Sequence, residues 1–279
     1  MTYTFSQITS YLESIAPLHF QESYDNSGLL VGNPNTEVTG ILVSLDTIES
    51  VIEEAKAKNC NLIVAHHPII FRGLKSLTGK NYIERTIIKA IQEGIGIYAI
   101  HTNLDNIQDG VNAKISEKIG LTNTKILSPK NNIFHKDSND EPQKVGSGMI
   151  GELSEAISVD AFLAKLKSKM NLPLIKHTKL ESFLNNKTDK KIKKIALCGG
   201  AGSFLLNEAI KQKADFFITG DYKYHEFFDA EDKIIICDIG HYESEVFTKD
   251  LLVDFLKKEF SDIEIIACQT NTNPVEYYF

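Results

Sequence analysis

The sequence predicts an α/β fold with largely parallel sheets, arranged in two halves. Three observations carry that reading. Short, continuous apolar runs rich in Ile, Val and Phe recur along the chain, as strands buried on both faces require. Helix-like stretches with apolar residues at i, i+3 and i+4 lie between them. One polar stretch, "SPKNNIFHKDSNDEPQKV" at 128–145, interrupts the alternation.

In chain order, an amphipathic N-terminal helix comes first. Ile8, Tyr11, Leu12 and Ile15 share its face, and Ser6 is its expected cap. The run "GILVSLD" (40–46) is the first strand and "TIESVIEEAKAKN" (47–59) the helix after it, with Val51, Ile52 and Ala55 inward. "NLIVAHH" (61–67) is the next strand. "YIERTIIKAIQEG" (82–94) is a helix with Ile83, Ile87, Ile88 and Ile91 in line, ending on glycine, a common residue just past a helix end. "GIGIYAIHTNLD" (94–105) closes the first group. The second group alternates "KKIALCGG" (193–200), the helix "SFLLNEAIKQK" (203–213), "ADFFITGD" (214–221), "KIIICDIG" (233–240), the helix "SEVFTKDLLVDFLKKEF" (244–260) and "IEIIACQT" (263–270). The division expected is a first α/β lobe at 1–127, a polar linker at 128–145 and a second α/β lobe at 146–279, whose C-terminal segment can pack back on the first.

Composition narrows the function classes. The 279 residues carry a formal net charge of -7, which disfavours nucleic acid as a partner because such binding needs a basic footprint. The four cysteines, Cys60, Cys198, Cys237 and Cys268, form no C-x-x-C pair, and three lie in apolar runs. They read as small buried hydrophobes in a reduced, cytoplasmic setting. No run approaches the roughly 18 apolar residues of a membrane span, and the N-terminus has no leader pattern.

Chemistry gathers at the carboxyl ends of the strands, where ligands bind in open α/β sheets. Asp46, His66, His67, His101, Asp105, Asp221, His225, Asp238 and His241 all lie at or just past such ends. Imidazole with carboxylate suits Zn, Mn, Fe or Co. His66 and His67 are adjacent, and strand alternation would send them to opposite faces. Pro68 ends that constraint, so both rings can serve one centre, or both can be hydrogen-bonded turn residues. His101 and Asp105 share a face if "HTNLD" is helical and separate if it is extended. His241 and Glu245 stand at i and i+4, the spacing of helical chelates, although chance pairs are frequent. "CGGAGSF" (198–204) is either a phosphate-holding turn or a tight turn needing positive φ. In "TGDYKYHEF" (219–227), Lys223 and His225 can meet an anionic substrate or pass protons, or simply form a polar loop.

Seven motifs then occur in one order: "YDNSGLLVG" (24–32), "AHHPIIF" (65–71), "HTNLD" (101–105), "GSGMIGEL" (146–153), "CGGAGS" (198–203), "TGDYKYH" (219–225) and "GHYESE" (240–245). With them the chain resembles the NGG-interacting-factor-three-like family, also described as GTP cyclohydrolase I type 2 homologs or dinuclear metal-centre proteins. The resemblance implies two interwoven α/β lobes with mixed sheets and a metal pair in the cleft between them. It implies His66, His67, Asp105, His241 and Glu245 as ligands of two divalent ions, Zn, Fe, Mn or Co. His101 and His225 would then stand behind the ligands or face substrate, as candidate catalytic residues. It further implies a homo-oligomer, a toroidal hexamer. Longer relatives carry an extra small domain between the halves, where this chain has only the polar stretch.

The function expected is a metal-dependent hydrolase acting on a small molecule, a nucleotide among the candidates, with His101 or His225 shuttling a proton. The alternative is a metal-binding regulatory or scaffold protein that works through protein partners without turnover.

Overall fold

The computed structural model describes residues 2–136, 142–179 and 191–278. In chain order it contains α1 (Phe5–Ile15), β1 (Gly28–Val31), β2 (Ile41–Ser44), α2 (Glu49–Ala57), β3 (Leu62–Ala65), α3 (Tyr82–Gln92) and β4 (Gly96–Ala99). There follow α4 (Thr102–Asp105), α5 (Val111–Ile119), β5 (Leu121–Lys136), β6 (Pro142–Ser158), α6 (Val159–Lys169) and β7 (Lys176–His177). The rest is β8 (Lys191–Ala201), α7 (Leu206–Lys211), β9 (Phe216–Gly220), β10 (Ile235–Asp238), α8 (His241–Glu245), α9 (Thr248–Glu259) and β11 (Ile265–Ala267). The fold is mixed α/β, and all seven runs read as strands from the sequence are strands.

Two compact units form. The first contains residues 1–104 and 248–276, the second 105–247 and 277–279. The first has a five-stranded sheet in the order β1-β4-β3-β2-β11. Its β4, β3, β2 and β11 run parallel, and β1 joins antiparallel to β4. Every residue of β2, β3 and β4 is buried, which is why these segments are apolar without alternation. Leu42, Ile63 and Ile97 pack against Val51, Ile52 and Ala55 of α2 and Ile87 and Ala90 of α3.

The N-terminal helix is capped at Thr4, not at Ser6. Gln7 Oε1 accepts the Thr4 N–H at 2.9 Å. The N–H groups of Phe5 and Ser6 donate to Thr36 and Pro34 carbonyls, each at 2.9 Å. The loop thus satisfies the first-turn donors, and Ser6 has no capping task. Phe5 lies over Gly96 of β4, where an added Cβ would stand 2.3 Å from Phe5 Cε2. Gly96→Ala is expected to destabilise the fold by about 1–3 kcal/mol through overpacking, read as a lowered midpoint in thermal unfolding. An unchanged midpoint would refute that contact.

The second unit has a six-stranded sheet in the order β5-β6-β8-β9-β10-β7. β8, β9 and β10 are parallel, while β5–β6, β6–β8 and β10–β7 are antiparallel. The stretch 128–145 is not simply a connector. Its described residues extend β5 and β6, which pair Ser128 with Ser147 and Pro129 with Gly146. Residues 137–141 lie outside the described residues. Polarity suggested a linker, but ladder hydrogen bonds come from the backbone and tolerate polar side chains. Residues 105–127, assigned by sequence to the first lobe, belong to the second unit, and 248–276 return to the first. Among the described residues no helix is long and apolar enough to cross a membrane.

Candidate metal centre

In the first unit three histidines converge. His66 and His67 follow β3, and their N–H groups still donate to the Ser44 and Leu45 carbonyls at 3.1 and 2.9 Å. The ladder geometry therefore persists past Ala65 and fixes both backbones before Pro68. His66 is fully buried, and its Nδ1 lies 2.8 Å from the Ile100 carbonyl. A carbonyl only accepts, so Nδ1 carries the proton and Nε2 presents the lone pair. His67 Nδ1 lies 2.7 Å from Asp46 Oδ1, and Thr272 donates to Asp46 Oδ2 at 2.6 Å. His101 Nδ1 lies 2.7 Å from Asp25 Oδ1. The three ring centroids are 4.9 to 5.3 Å apart, and one nitrogen from each ring lies within 4.8 Å of the other two.

The anchoring carboxylates are held ionised. Burial pushes the Asp25 carboxyl up, but hydrogen bonds and charge from His101, with Thr102 and the Asn26 N–H, outweigh it and hold the group well below the usual range. Asp46 behaves alike: burial raises it, and His67 and Thr272 bring it below its ordinary value.

In the second unit α8 is one helical turn carrying His241 and Glu245. Their Nε2 and Oε2 atoms are 3.0 Å apart, and Glu245 is buried. His241 Nδ1 lies 2.7 Å from Asp221 Oδ2. Asp238 sets the turn into α8 by accepting the Gly240 N–H at 3.0 Å and the Tyr222 N–H at 3.2 Å, and it pairs with Lys176 at 2.5 Å. Asp105 ends the helical turn α4, so "HTNLD" is helical from Thr102 onward, with His101 just before the turn. One of its carboxylate oxygens lies within 4.8 Å of one from Glu245. Burial and then the negative charges of Asp105 and Glu245 push the nearby Cys198 thiol far up.

The glycine-rich turn serves this site rather than a phosphate. The N–H groups of Gly199, Gly200 and Gly202 already donate to Asn112 Oδ1, Ser244 Oγ and Thr219 Oγ1, at 2.9, 3.0 and 2.8 Å. Gly200 has φ +60°, and a Cβ there would sit 2.5 Å from Glu245 Oε1. The tight-turn alternative is the one the structure adopts, with a close approach to a ligand candidate as its reason.

His225 stands apart from the donor set of its unit. It is exposed in the 3₁₀ segment Tyr224–Ala230, with its ring 5.1 Å from Tyr224 and 6.5 Å from Phe228. Lys223 faces Glu226 of the same segment at 3.9 Å. Asp25, Asp46 and Asp221 were not given roles by the sequence alone. Asp25 lies in the quoted "YDNSG" motif, but sequence does not tell that a carboxylate 76 residues before His101 meets it.

The donor chemistry fits divalent ions. With Nδ1–H given to Asp221, His241 would face Glu245 lone pair to lone pair at 3.0 Å, an arrangement that needs a proton or a cation between the two. The close carboxylates of Asp105 and Glu245 have the same need. Anchoring the distal nitrogen of an imidazole to a carboxylate or carbonyl is a recurrent property of metal-bound histidine.

The family model described as Duf34/NIF3 (NGG1p interacting factor 3) matches residues 3–274. The chain belongs to the Duf34/NIF3 family. This NIF3-family chain is 35% identical over 263 residues to a "GTP cyclohydrolase 1 type 2 homolog" of Lactococcus lactis, covering 94% of this chain and 95% of the relative. A relative of the same name in Staphylococcus epidermidis is 27% identical, with 98% of this chain and 99% of the relative covered. That alignment runs over 370 positions against 279 residues here, so the staphylococcal protein carries segments without a counterpart in this chain. Among solved structures, a hypothetical protein of Staphylococcus aureus matches with TM-score 0.86 and 32% identity, covering 99% of both chains. A Bacillus cereus protein related to NIF3 matches in fold with TM-score 0.88, 24% identity and 99% of both chains covered.

Proposed function

We propose that this NIF3-family chain is a dinuclear divalent-metal protein that acts as a metal-dependent hydrolase. The proposed ligands are His66, His67, Asp105, His241 and Glu245. The observation that carries the reading is the anchoring of imidazole Nδ1 atoms by Ile100 O, Asp46 and Asp221 at 2.7–2.8 Å. It turns each Nε2 into a fixed donor, which a histidine used only for packing does not need. Zn, Fe, Mn and Co all suit such donors. Divalent ions bound there would supply Lewis acidity and make water nucleophilic near neutral pH.

The chain's own residues do the rest. Asp46 and Asp221 orient their imidazoles. Glu245 is a buried carboxylate packed closely against Gly200 and facing His241. The exposed His225, beside Lys223, is the proposed proton carrier on the solvent side. The relatives' printed name makes GTP, or another nucleotide, the first substrate to try. A cytoplasmic homo-hexamer is the assembly this reading assigns, checked by light scattering during gel filtration.

The test is direct. Purified without chelator, the wild-type chain should hold close to two divalent ions, and His66→Ala and Glu245→Ala should each lose at least half of them and more than 100-fold in turnover on a nucleotide and phosphoester panel. Unchanged metal content in both variants would sink the ligand assignment. Metal loss with no turnover in any form would favour a second reading, a regulatory metal protein acting through partners. The observation favouring that reading is the exposed pair Tyr224 and Phe228, 74% and 68% accessible, since exposed aromatics suit a protein interface.

A further inference from the structure

We propose that the cavity between β7 and the 3₁₀ segment Tyr224–Ala230 of the second unit binds a phosphorylated planar ring, with mononucleotides as the ligand class. The cavity has a volume of about 520 Å³, within the roughly 300–1,000 Å³ of small-molecule sites. None of the five proposed metal ligands lines it. Two segments form its walls, one supplying rings and carboxylates and the other cations.

The ring wall is held in place by its own bonds. Phe227 packs edge-on against the buried Tyr222, with centroids 5.1 Å apart at 60°. Tyr224 and Phe228 stand 5.8 Å apart at 80° and both are exposed. Rings left open at a cavity offer π-faces on which a base stacks. At the start of the segment Glu226 Oε2 accepts the Lys223 N–H at 3.2 Å. At its end the Glu231 N–H donates to the Phe228 carbonyl at 3.2 Å and the Lys233 N–H to the Ala230 carbonyl at 2.8 Å. Glu231 and Asp232 there take φ +44° and +57°, left-handed values uncommon for residues other than glycine. Both line the cavity, and such departures cluster at ligand sites.

The cation wall carries Lys176, His177 and Lys179. Thr178 fastens it to β10, since its N–H donates to the Ile236 carbonyl at 3.1 Å and its hydroxyl oxygen accepts the Ile236 N–H at 3.2 Å. His177 Nδ1 donates to the Thr178 carbonyl at 2.8 Å, which leaves Nε2 for another partner. Lys176 is matched by Asp238 and Glu231 by Lys233, each at 2.5 Å. Among the described residues Lys179 and Asp232 have no ion-pair partner, so the cavity keeps one cation and one carboxylate in reserve. A phosphate answers Lys179 and His177, the N–H groups of a base answer Asp232, and the rings take the base itself. A wholly apolar ligand would leave both charges unmet, and inorganic phosphate would leave the rings unused.

Isothermal titration of the full chain, purified without chelator, tests the site with AMP and GMP, their nucleosides and ribose 5-phosphate. A mononucleotide should bind at least about tenfold more tightly than its nucleoside or ribose 5-phosphate. Tyr224→Ala and Phe228→Ala should each weaken the nucleotide about 5- to 100-fold, the range one stacked base accounts for, and leave ribose 5-phosphate unchanged. Lys179→Ala should weaken the nucleotide and leave the nucleoside unchanged. The same selectivity should persist in Glu245→Ala, which disables the proposed metal centre and any nucleotide held there. Nucleotide binding lost in Glu245→Ala but kept in both ring variants would place the ligand at the metal centre and overturn the cavity site. No preference for the nucleotide over its fragments would also overturn it, returning Tyr224 and Phe228 to the protein-interface reading. Unchanged metal content in Glu245→Ala fails only the metal-ligand assignment, because the ring and lysine variants still report on the cavity. The wild-type preference needs no substitution, so it is decisive even if a variant does not fold.

Discussion

Glu54→Ala is expected to lower stability by about 3 kcal/mol. Glu54 on α2 is the point at which the C-terminal segment is fastened within the first unit. Its carboxylate accepts the N–H groups of Gln269 and Thr270, each at 2.8 Å, the Thr270 hydroxyl at 2.6 Å and Lys58 Nζ at 2.7 Å. Removing it strands several donors at once, at roughly 1–3 kcal/mol for each that stays buried. Burial pushes its pKa up, but the Gln269 N–H, Lys58, Thr270 and Cys268 together hold it well below the ordinary value of 4.5. Glu84 is also depressed, to about 2, chiefly by the Thr78 N–H. Both carboxylates release their protons more readily folded than unfolded. Their stabilisation is therefore complete above about pH 4.5 and is lost as pH falls towards 2. Chemical denaturation of wild type and Glu54→Ala at pH 7 and pH 3 should show the gap between them shrinking at the lower pH. A constant gap would contradict the assigned ionisation.

Gly200→Ala is expected to cost about 2 kcal/mol and to weaken divalent-metal binding at least tenfold. Two effects add. A residue with a Cβ is strained at φ +60° by roughly 1–2 kcal/mol. The new methyl would also meet Glu245 Oε1 at 2.5 Å, and the buried carboxylate must move. Gly94→Ala is the matched control, with φ +67° and nothing within 4 Å of the added Cβ. It should lose only the backbone part and keep wild-type metal affinity. Equal stability losses and equal metal affinity in the two variants would show that Gly200 has no special relation to Glu245.

The sequence made the sheets legible because their strands are buried on both faces, and continuous apolar runs such as "ILVS" and "LIVA" have few other uses. It concealed β5 and β6 because Lys, Asn and Ser obscure a backbone ladder. The helices α5 and α6 also escaped notice, although Val111, Ile115 and Ile119 are spaced by four and Gly120 closes α5 with φ +75°. Of the candidate site, His241 and Glu245 were legible because a helical i, i+4 pair is local. The anchors were not. Asp25 meets His101 across 76 positions and Asp46 meets His67 across 21, and no periodicity reports such distances. The Ile100 carbonyl that fixes His66 is backbone, and a sequence does not display it as a partner.

The divided first unit has a consequence for synthesis. Its edge strand β11 pairs with β2 through Ile265↔Ile41 and its neighbours, yet residues 105–247 of the second unit lie between the two in sequence. At roughly 5–20 residues per second, β2 waits about ten to forty-five seconds for its partner. Through that interval a strand whose four residues are all buried in the finished fold presents an open backbone edge to the surrounding milieu. The nascent chain is then most exposed to wrong pairing, and the emergence of β11 ends the risk.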